Sequence, residues 1–395
     1  MKLDEHDFNL HGIVTVRFIN AAPGIIASFD RRWQGALLPT DNREPDIVVT
    51  FHETLAPHGL TYIGENWAAF NEEAFYLLDE TTGEIRAGIS FETIGDRCEM
   101  SCPRNTASVP LLGEIVNLTC LQKEHVPLHA SAVTYEGSGI LLAAWSKGGK
   151  TGALLTFMNH GARFVADEWV ILSADGQSMR GIPESIAISE WQFAEIPAFM
   201  PAIGLQKRLF FGSVHALDFA YERVLPRKSK ESFLGKMLRK SLPRLKRQLK
   251  IYKAPRALFG DRFGPLQARP DVFFLMSGHA QPFISVEPCD ARTFALRMAQ
   301  VNEYEWRDFF DYYRAFKFAF PHLENAFLEN ALALQESLLC QALESKETVS
   351  VLHPYGERLE PLFAKMKSCV KKPPSNAVAS PQMQIGLENR RHANS

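Results

Sequence analysis

No run of 18 consecutive apolar residues occurs in the sequence, so no segment is long enough to span a bilayer as a helix. The first residues, MKLDEHDFNLHGI, place acids where a secretory leader needs a basic and then an apolar stretch. Both absences predict a cytoplasmic protein. Net charge is nearly missing too: 43 Lys and Arg stand against 45 Asp and Glu, a formal −2. That balance gives no overall attraction to nucleic acid or to an anionic membrane. Cysteine is scarce and scattered. Of six, only Cys98 and Cys102 lie near one another, with no second pair, which is poor zinc-site spacing. Six reduced thiols are expected. What the chain does have is apolar residues, 46% of 395, enough for a substantial core divided among two or more domains.

Along residues 13–92, short apolar runs alternate with turn-forming stretches: IVTVRFI (13–19), DIVVTFHE (46–53), LTYIG (60–64), AFYLLDE (74–80) and EIRAGISFE (84–92). Gly83, after two threonines, suits a hairpin turn between the last two. The pattern predicts a β-rich N-terminal domain over 1–104. Between 105 and 125, Leu111, Leu112, Ile115, Val116, Leu118 and Leu121 recur as on a helix with one packed face. That helix opens a second domain, 105–289, to which DVFFLMSG (271–278) returns as a buried strand. Residues 197–222 show no clean period. From 290 to 370 the pattern is helical, with dense aromatic faces such as WRDFFDYYRAFKFAF that read as packing. The tail, 371–395, is rich in Pro, Ser and Asn and is expected to be disordered.

The most informative stretch runs from His125 to Leu172, and reads as strand, glycine-rich loop, helix, strand. Its loop is Ala144-Trp145-Ser146-Lys147-Gly148-Gly149-Lys150-Thr151. Against the phosphate-loop pattern GxxxxGK[ST] the last three positions match, while Ala144 stands where the first glycine usually does. The physical demands are met by an apolar strand, GILLAA, ending in a loop whose N–H groups form an anion nest at a helix N-terminus. Gly148 and Gly149 let the backbone approach phosphate. Lys150 supplies a charge between the terminal phosphates and Thr151 an oxygen for Mg²⁺. Ser146 and Lys147 complete the predicted binding loop.

Seventeen residues after Lys150, ARFVADEWVIL sets Asp167 and Glu168 inside an otherwise apolar strand, near enough to the loop for one to hold Mg²⁺. A kinase acting on an alcohol needs, besides the metal ligand, a group to accept the hydroxyl proton; two adjacent carboxylates can divide those roles. His129, in VPLHASAV, is placed just ahead of the strand beside the loop strand and is a candidate for phosphate contact or proton transfer. His125, Arg163 and Arg180 are weaker candidates.

The run LHASAV…GILLAAWSKGGKTGALL…HGARFVADEWVIL resembles the HPr serine kinase/phosphorylase family and its relatives. There a histidine precedes a strand, a phosphate loop follows, and a VADD strand comes about seventeen residues after the loop lysine. The resemblance implies an α/β (α+β) fold with a P-loop on a mixed sheet, similar to the nucleotide domain of phosphoenolpyruvate carboxykinase. It implies ATP and Mg²⁺ as cofactors. It assigns Asp167 as the acid/base, Lys150 and His129 to the transferred phosphate, and Thr151 and Glu168 to the metal. Ala144, Lys147 and Glu168 depart from the family pattern, and the family's C-terminal loop associated with phosphorolysis is not found. The likeness is strong over about 50 residues.

One segment is heavily biased. Residues 223–256 carry 13 Lys or Arg and one acid, Glu231, with Leu234, Leu238, Leu242, Leu245, Leu249 and Tyr252 at helical spacing interrupted by Pro243. A basic amphipathic helix of this kind packs its stripe on its own protein, or lies on an acidic peptide or protein, a nucleic acid or an anionic membrane. The leading expectation is an ATP- and Mg²⁺-dependent kinase acting on a hydroxyl of a peptide, protein or small molecule, its acceptor acidic where it meets the basic segment. The alternatives are a nucleotide-binding regulatory or partner-recruiting module with weakened catalysis, and a carboxykinase-like enzyme acting on a small acid. Self-association into a homo-oligomer is left open.

Overall fold

The computed structural model describes residues 4–40, 43–224, 232–354 and 358–371. The expected disordered tail, from residue 372 on, and residues 225–231 of the basic segment lie outside them. Among the described residues the chain is a mixed α/β protein built on two nine-stranded sheets and a two-stranded ribbon.

The first sheet takes β1 (Glu5–Leu10), β2 (Val14–Ile19), β3 (Leu37–Leu38), β4 (Ile47–His52), β5 (Thr61–Ile63), β6 (Ala68–Phe70), β7 (Phe75–Leu78), β8 (Ile85–Ile89) and β9 (Cys98–Pro103). Their order is β3-β1-β2-β4-β9-β8-β7-β6-β5, with β2, β4 and β9 parallel to one another. One helix, α1 (Pro23–Arg32), interrupts the β-rich pattern. Its proline stands at the start, where no N–H is needed, and it buries only Ile25 and Phe29, a helical signal too short to stand out from the strand runs.

The helix expected over 105–125 is shorter: α2 (Leu112–Gln122). It begins late because Pro110 brings no N–H and Leu111 takes a left-handed φ of 57°. α2 packs on β10 (His125–Tyr135) and reaches β2, so it bridges the two sheets. The second sheet adds β11 (Ser138–Ala144), β12 (Arg163–Ala166), β13 (Glu168–Ser173), β14 (Met179–Pro183), β17 (Gln267–Ala268), β18 (Pro270–His279), β19 (Ser285–Pro288) and β20 (Glu347–Pro354). Its order is β17-β14-β13-β10-β11-β18-β20-β19, with β12 also on β10. β11, β18 and β20 run parallel and the other pairs antiparallel. The sheet is therefore mixed. The ribbon is β15 (Ile186–Ser189) paired with β16 (Lys250–Lys253).

The remaining helices are α3 (Lys150–Asn159), α4 (Glu190–Glu195), α5 (Leu205–Phe219), α6 (Phe233–Lys246), α7 (Pro255–Phe259), α8 (Ala291–Glu305), α9 (Arg307–Ala319), α10 (Ala326–Leu343) and α11 (Leu359–Lys367). α5 occupies the stretch without a clean period. The region expected to be helical, 290–370, departs from that expectation at β20, where TVSV, three of its four residues β-branched, feeds the sheet between β18 and β19. The aromatic face of α9 is packing: Phe309, Tyr313 and Phe316 surround Phe91, and Tyr312 stacks on Trp67 at 4.9 Å. One continuous cluster of buried apolar side chains runs through both sheets, from Phe8 to Met366. No helix of the described residues is long and apolar enough to cross a membrane.

Candidate nucleotide site

β11 is buried along its whole length, as a strand with neighbours on both edges and helices on its faces must be. At its end the chain turns sharply, the Gly148 N–H donating to the Trp145 carbonyl at 2.8 Å. A Cβ on Gly148 would lie 2.7 Å from the Ala144 Cβ. The loop therefore accommodates alanine at its first position because Gly148 leaves the space for that methyl. Lys147 and Gly149 take left-handed φ values of 64° and 101°, the second next to His353, whose Nε2 lies 3.1 Å from the Gly148 carbonyl. α3 then begins at Lys150, with its free N–H groups facing the loop.

Lys150 is buried, its Nζ donating to the Ala144 carbonyl at 3.2 Å. Burial lowers its pKa, opposed by the carboxylates of Glu168, Asp167 and Glu305. Thr151 donates to Asp167 Oδ2 at 3.2 Å, and Ser131 donates to the other oxygen of the same carboxylate. Asp167 is 1% exposed. Burial, reinforced by the neighbouring Glu168, pushes its pKa up to about 6.

The acidic pair sits at a break. β12 and β13 both pair with β10, whose register shifts between Ala132 and Val133, and Glu168 takes a left-handed φ of 81°. Such a kink re-aims successive side chains. Asp167 is turned inward, behind Thr151, and Glu168 faces the cavity. Glu168 Oε2 lies 3.0 Å from His129 Nε2. His129 lies inside β10, not ahead of it, and is buried. Its Nδ1 is 2.7 Å from Glu305 Oε1, the distance of an ion pair but not the angle of a hydrogen bond. Burial works to lower the His129 pKa, but the two flanking carboxylates prevail and raise it, so the ring favours its cationic form. The Glu168 carboxyl is held below its usual range, first by the bond to His129. The strand itself is pinned by Asn302, which accepts from the His129 N–H at 3.1 Å, donates to the Pro127 carbonyl at 2.5 Å and contacts Gln335 at 3.0 Å.

These groups line one wall of a cavity of about 360 Å³. His129, Ser146, Lys147, Gly149, Lys150, Thr151 and Glu168 supply polar and loop surface, and Trp191, Pro354, Leu359 and Leu362 supply an apolar wall. Gly148 shapes the loop without reaching the wall, and Asp167 is not on it. Three weaker candidates fall elsewhere. Arg180 and His125 meet each other at 3.4 Å, four residues along β10 from His129, which is about 13 Å in a strand. Arg163 is exposed on β12.

Several site residues escape a reading of the sequence. Ser131 had a signal, because it lies two residues from His129 on the same face of a strand. His353, Leu359 and Glu305 had none, being brought in by separate elements over 130 residues or more of chain. Among the described residues, no group of three or more His, Cys, Asp or Glu is arranged to hold a metal ion by itself. Magnesium on a phosphate chain needs only one or two protein oxygens; the Thr151 hydroxyl faces the cavity and could supply one, with Asp167 accepting from it behind the wall. Compared with known proteins, the chain matches no family model and no curated sequence.

Proposed function

We propose that this chain is an ATP- and Mg²⁺-dependent kinase of the HPr-kinase-like type, transferring the terminal phosphoryl group to a hydroxyl. One observation carries the reading: a glycine-rich loop whose Thr151 touches a buried carboxylate while a second carboxylate, paired with His129, faces the same cavity. The loop N–H groups and Lys150 bind the phosphates, Lys150 exchanging the Ala144 carbonyl for phosphate oxygen. Magnesium held by the Thr151 hydroxyl, which Asp167 orients from behind, would neutralise charge on the terminal phosphates. Trp191, Pro354, Leu359 and Leu362 cover the apolar part of the nucleotide.

The geometry favours a division of labour between the carboxylates opposite to that implied by the family resemblance. Asp167 supports the metal side, because it lies behind Thr151 and off the cavity wall. Glu168 stands on the wall and takes the proton from the acceptor alcohol, whose oxygen forms the new bond to phosphorus as the bond to the leaving diphosphate breaks. His129, held between Glu168 and Glu305, orients the Glu168 carboxylate through Nε2 and favours positive charge beside the transferred group.

Labelled phosphate transfer and nucleotide affinity, measured together, test these roles. Glu168→Gln is expected to lower transfer by about 100-fold or more while sparing Mg-ATP affinity. Asp167→Asn is expected to weaken affinity only when magnesium is present. Full transfer by Glu168→Gln removes it as the base. A second reading, a nucleotide-sensing module, is favoured by the engagement of Glu168 with His129; tight Mg-ATP binding by the native chain without turnover would select it.

A further inference from the structure

The floor of the cavity leads out of it. β15 lines the cavity with Ala187 and Ser189, while Ile186 and Ile188 are buried on its other face, the alternation of a strand packed on one side. In the ribbon, Ala187 stands opposite Tyr252 and Ser189 opposite Lys250. Directly opposed residues of an antiparallel pair project from the same face. The cavity face of the ribbon therefore continues onto Tyr252 and Lys250, and Ile251 between them is buried with the other isoleucines. Tyr252 is 59% exposed, with Lys250 Nζ 5.1 Å from its ring centroid. Among the described residues β16 pairs only with β15, so its outer edge presents backbone groups to an incoming chain.

Ahead of β16 the chain is cationic without interruption. Ser232 to Lys253 holds eight Lys or Arg and no acid. Nearby acids are partly committed within the fold, Asp218 to Lys246 at 2.7 Å and Glu190 to His215 at 2.6 Å. The apolar stripe of α6 and the turn after it is used inward: Leu242 is buried and Leu238, Leu245 and Leu249 are partly so. The outward face is the basic one, with Lys236, Arg239, Lys240 and Arg244 exposed and Phe233 and Met237 beside them.

We infer that β16 and the outer face of α6 form a docking surface for an acidic polypeptide, which follows the strand edge and delivers its hydroxyl to the cavity past Tyr252. Delivery rests on the kinase reading; docking does not. Charge complementarity selects an acidic partner, and the strand edge selects an extended chain. A bilayer fits less well, because a helix lying in a membrane interface turns its apolar stripe to the lipid, whereas here the leucine stripe is spent on the protein.

The test uses the full chain and a labelled Glu-, Leu- and Ser-rich peptide of about 20 residues, long enough to span ribbon and helix, followed by fluorescence anisotropy. A Lys-rich counterpart and vesicles of phosphatidylcholine with phosphatidylserine serve as competitors. The acidic peptide is expected to bind, and to weaken about tenfold or more in the triple variant Lys236→Glu, Lys240→Glu, Arg244→Glu. The corresponding Gln variant should fall between the two, and Tyr252→Ala should also weaken binding. Equal binding of the two peptides, an unchanged affinity in the charge-reversed variant, or binding to vesicles alone overturns the proposal. Mg-ATP affinity, read on the same samples, separates the two claims. Docking without nucleotide binding leaves the surface assigned and removes the kinase reading, and nucleotide binding without docking does the reverse.

Discussion

Asp167 is a carboxyl held where its charge is costly. Two hydroxyls and Lys150 favour the ionised form, but burial and Glu168 outweigh them and lift its pKa to about 6. In an unfolded chain it titrates near 4. The fold therefore binds this proton more tightly than the unfolded chain does, and raising pH through the window between about 4 and 6 removes stability; the penalty is full above it and absent below. Asp167→Asn is expected to raise stability at pH 7 by on the order of 1 to 3 kcal/mol and to change it little near pH 4. Urea midpoints at both pH values check this, and an equal shift at both would refute the titration argument. On the kinase reading proposed above, the same ionisation predicts that magnesium-dependent nucleotide affinity falls on acidification.

The loop between β11 and α3 works because of its two glycines, each for its own reason. Gly148 leaves room for the Ala144 methyl. Gly149 holds a φ of 101°, and a Cβ there would lie 3.0 Å from His353 Nε2. Gly149→Ala therefore meets both backbone strain and the end of β20, and is expected to cost about 1–3 kcal/mol. If this residue shapes an anion nest as proposed above, Mg-ATP affinity should fall by more than stability does; calorimetric titration beside thermal melting checks the order, and loss of stability alone would make the glycine structural only. His353 thus links the loop to a strand some 200 residues later, closing the cavity with α11. β12 and β13 make the parallel case: a kink, not the residues alone, sends Asp167 and Glu168 to different sides.

The two sheets are joined by polar as well as apolar bonds. Asn325 caps α10 by accepting from the Leu328 N–H, and its amide reaches the carbonyls of Phe91, Glu92 and Ile94 in the first sheet's last connection. His11, in the turn after β1, meets the Gly181 carbonyl of β14 at 2.8 Å. Asn325→Ala leaves the buried carbonyls of Phe91 and Ile94 short of a donor and removes a cap, and is expected to cost about 2–4 kcal/mol. Because one core runs through both sheets, chemical denaturation followed at Trp67 and at Trp169 should remain a single transition in the native chain. Two separated transitions would show the sheets to be independent.

How much of this was legible in the sequence depends on the range of the contacts. Sequence alone placed the loop, Lys150, Thr151 and the Asp167-Glu168 pair, because strand, turn and helix signals there are local and close in the chain. It marked the basic segment too, since charge and period are properties of neighbours. Which carboxylate faces the cavity was decided by the kink between β12 and β13, set by pairing with β10. That His129 lies between Glu168 and Glu305, that His353 closes the loop, and that Tyr252 shares a face with Ala187 were decided by tertiary structure. Each joins residues whose separation in the chain carries no periodic signal, and strand register and helix packing alone bring them together.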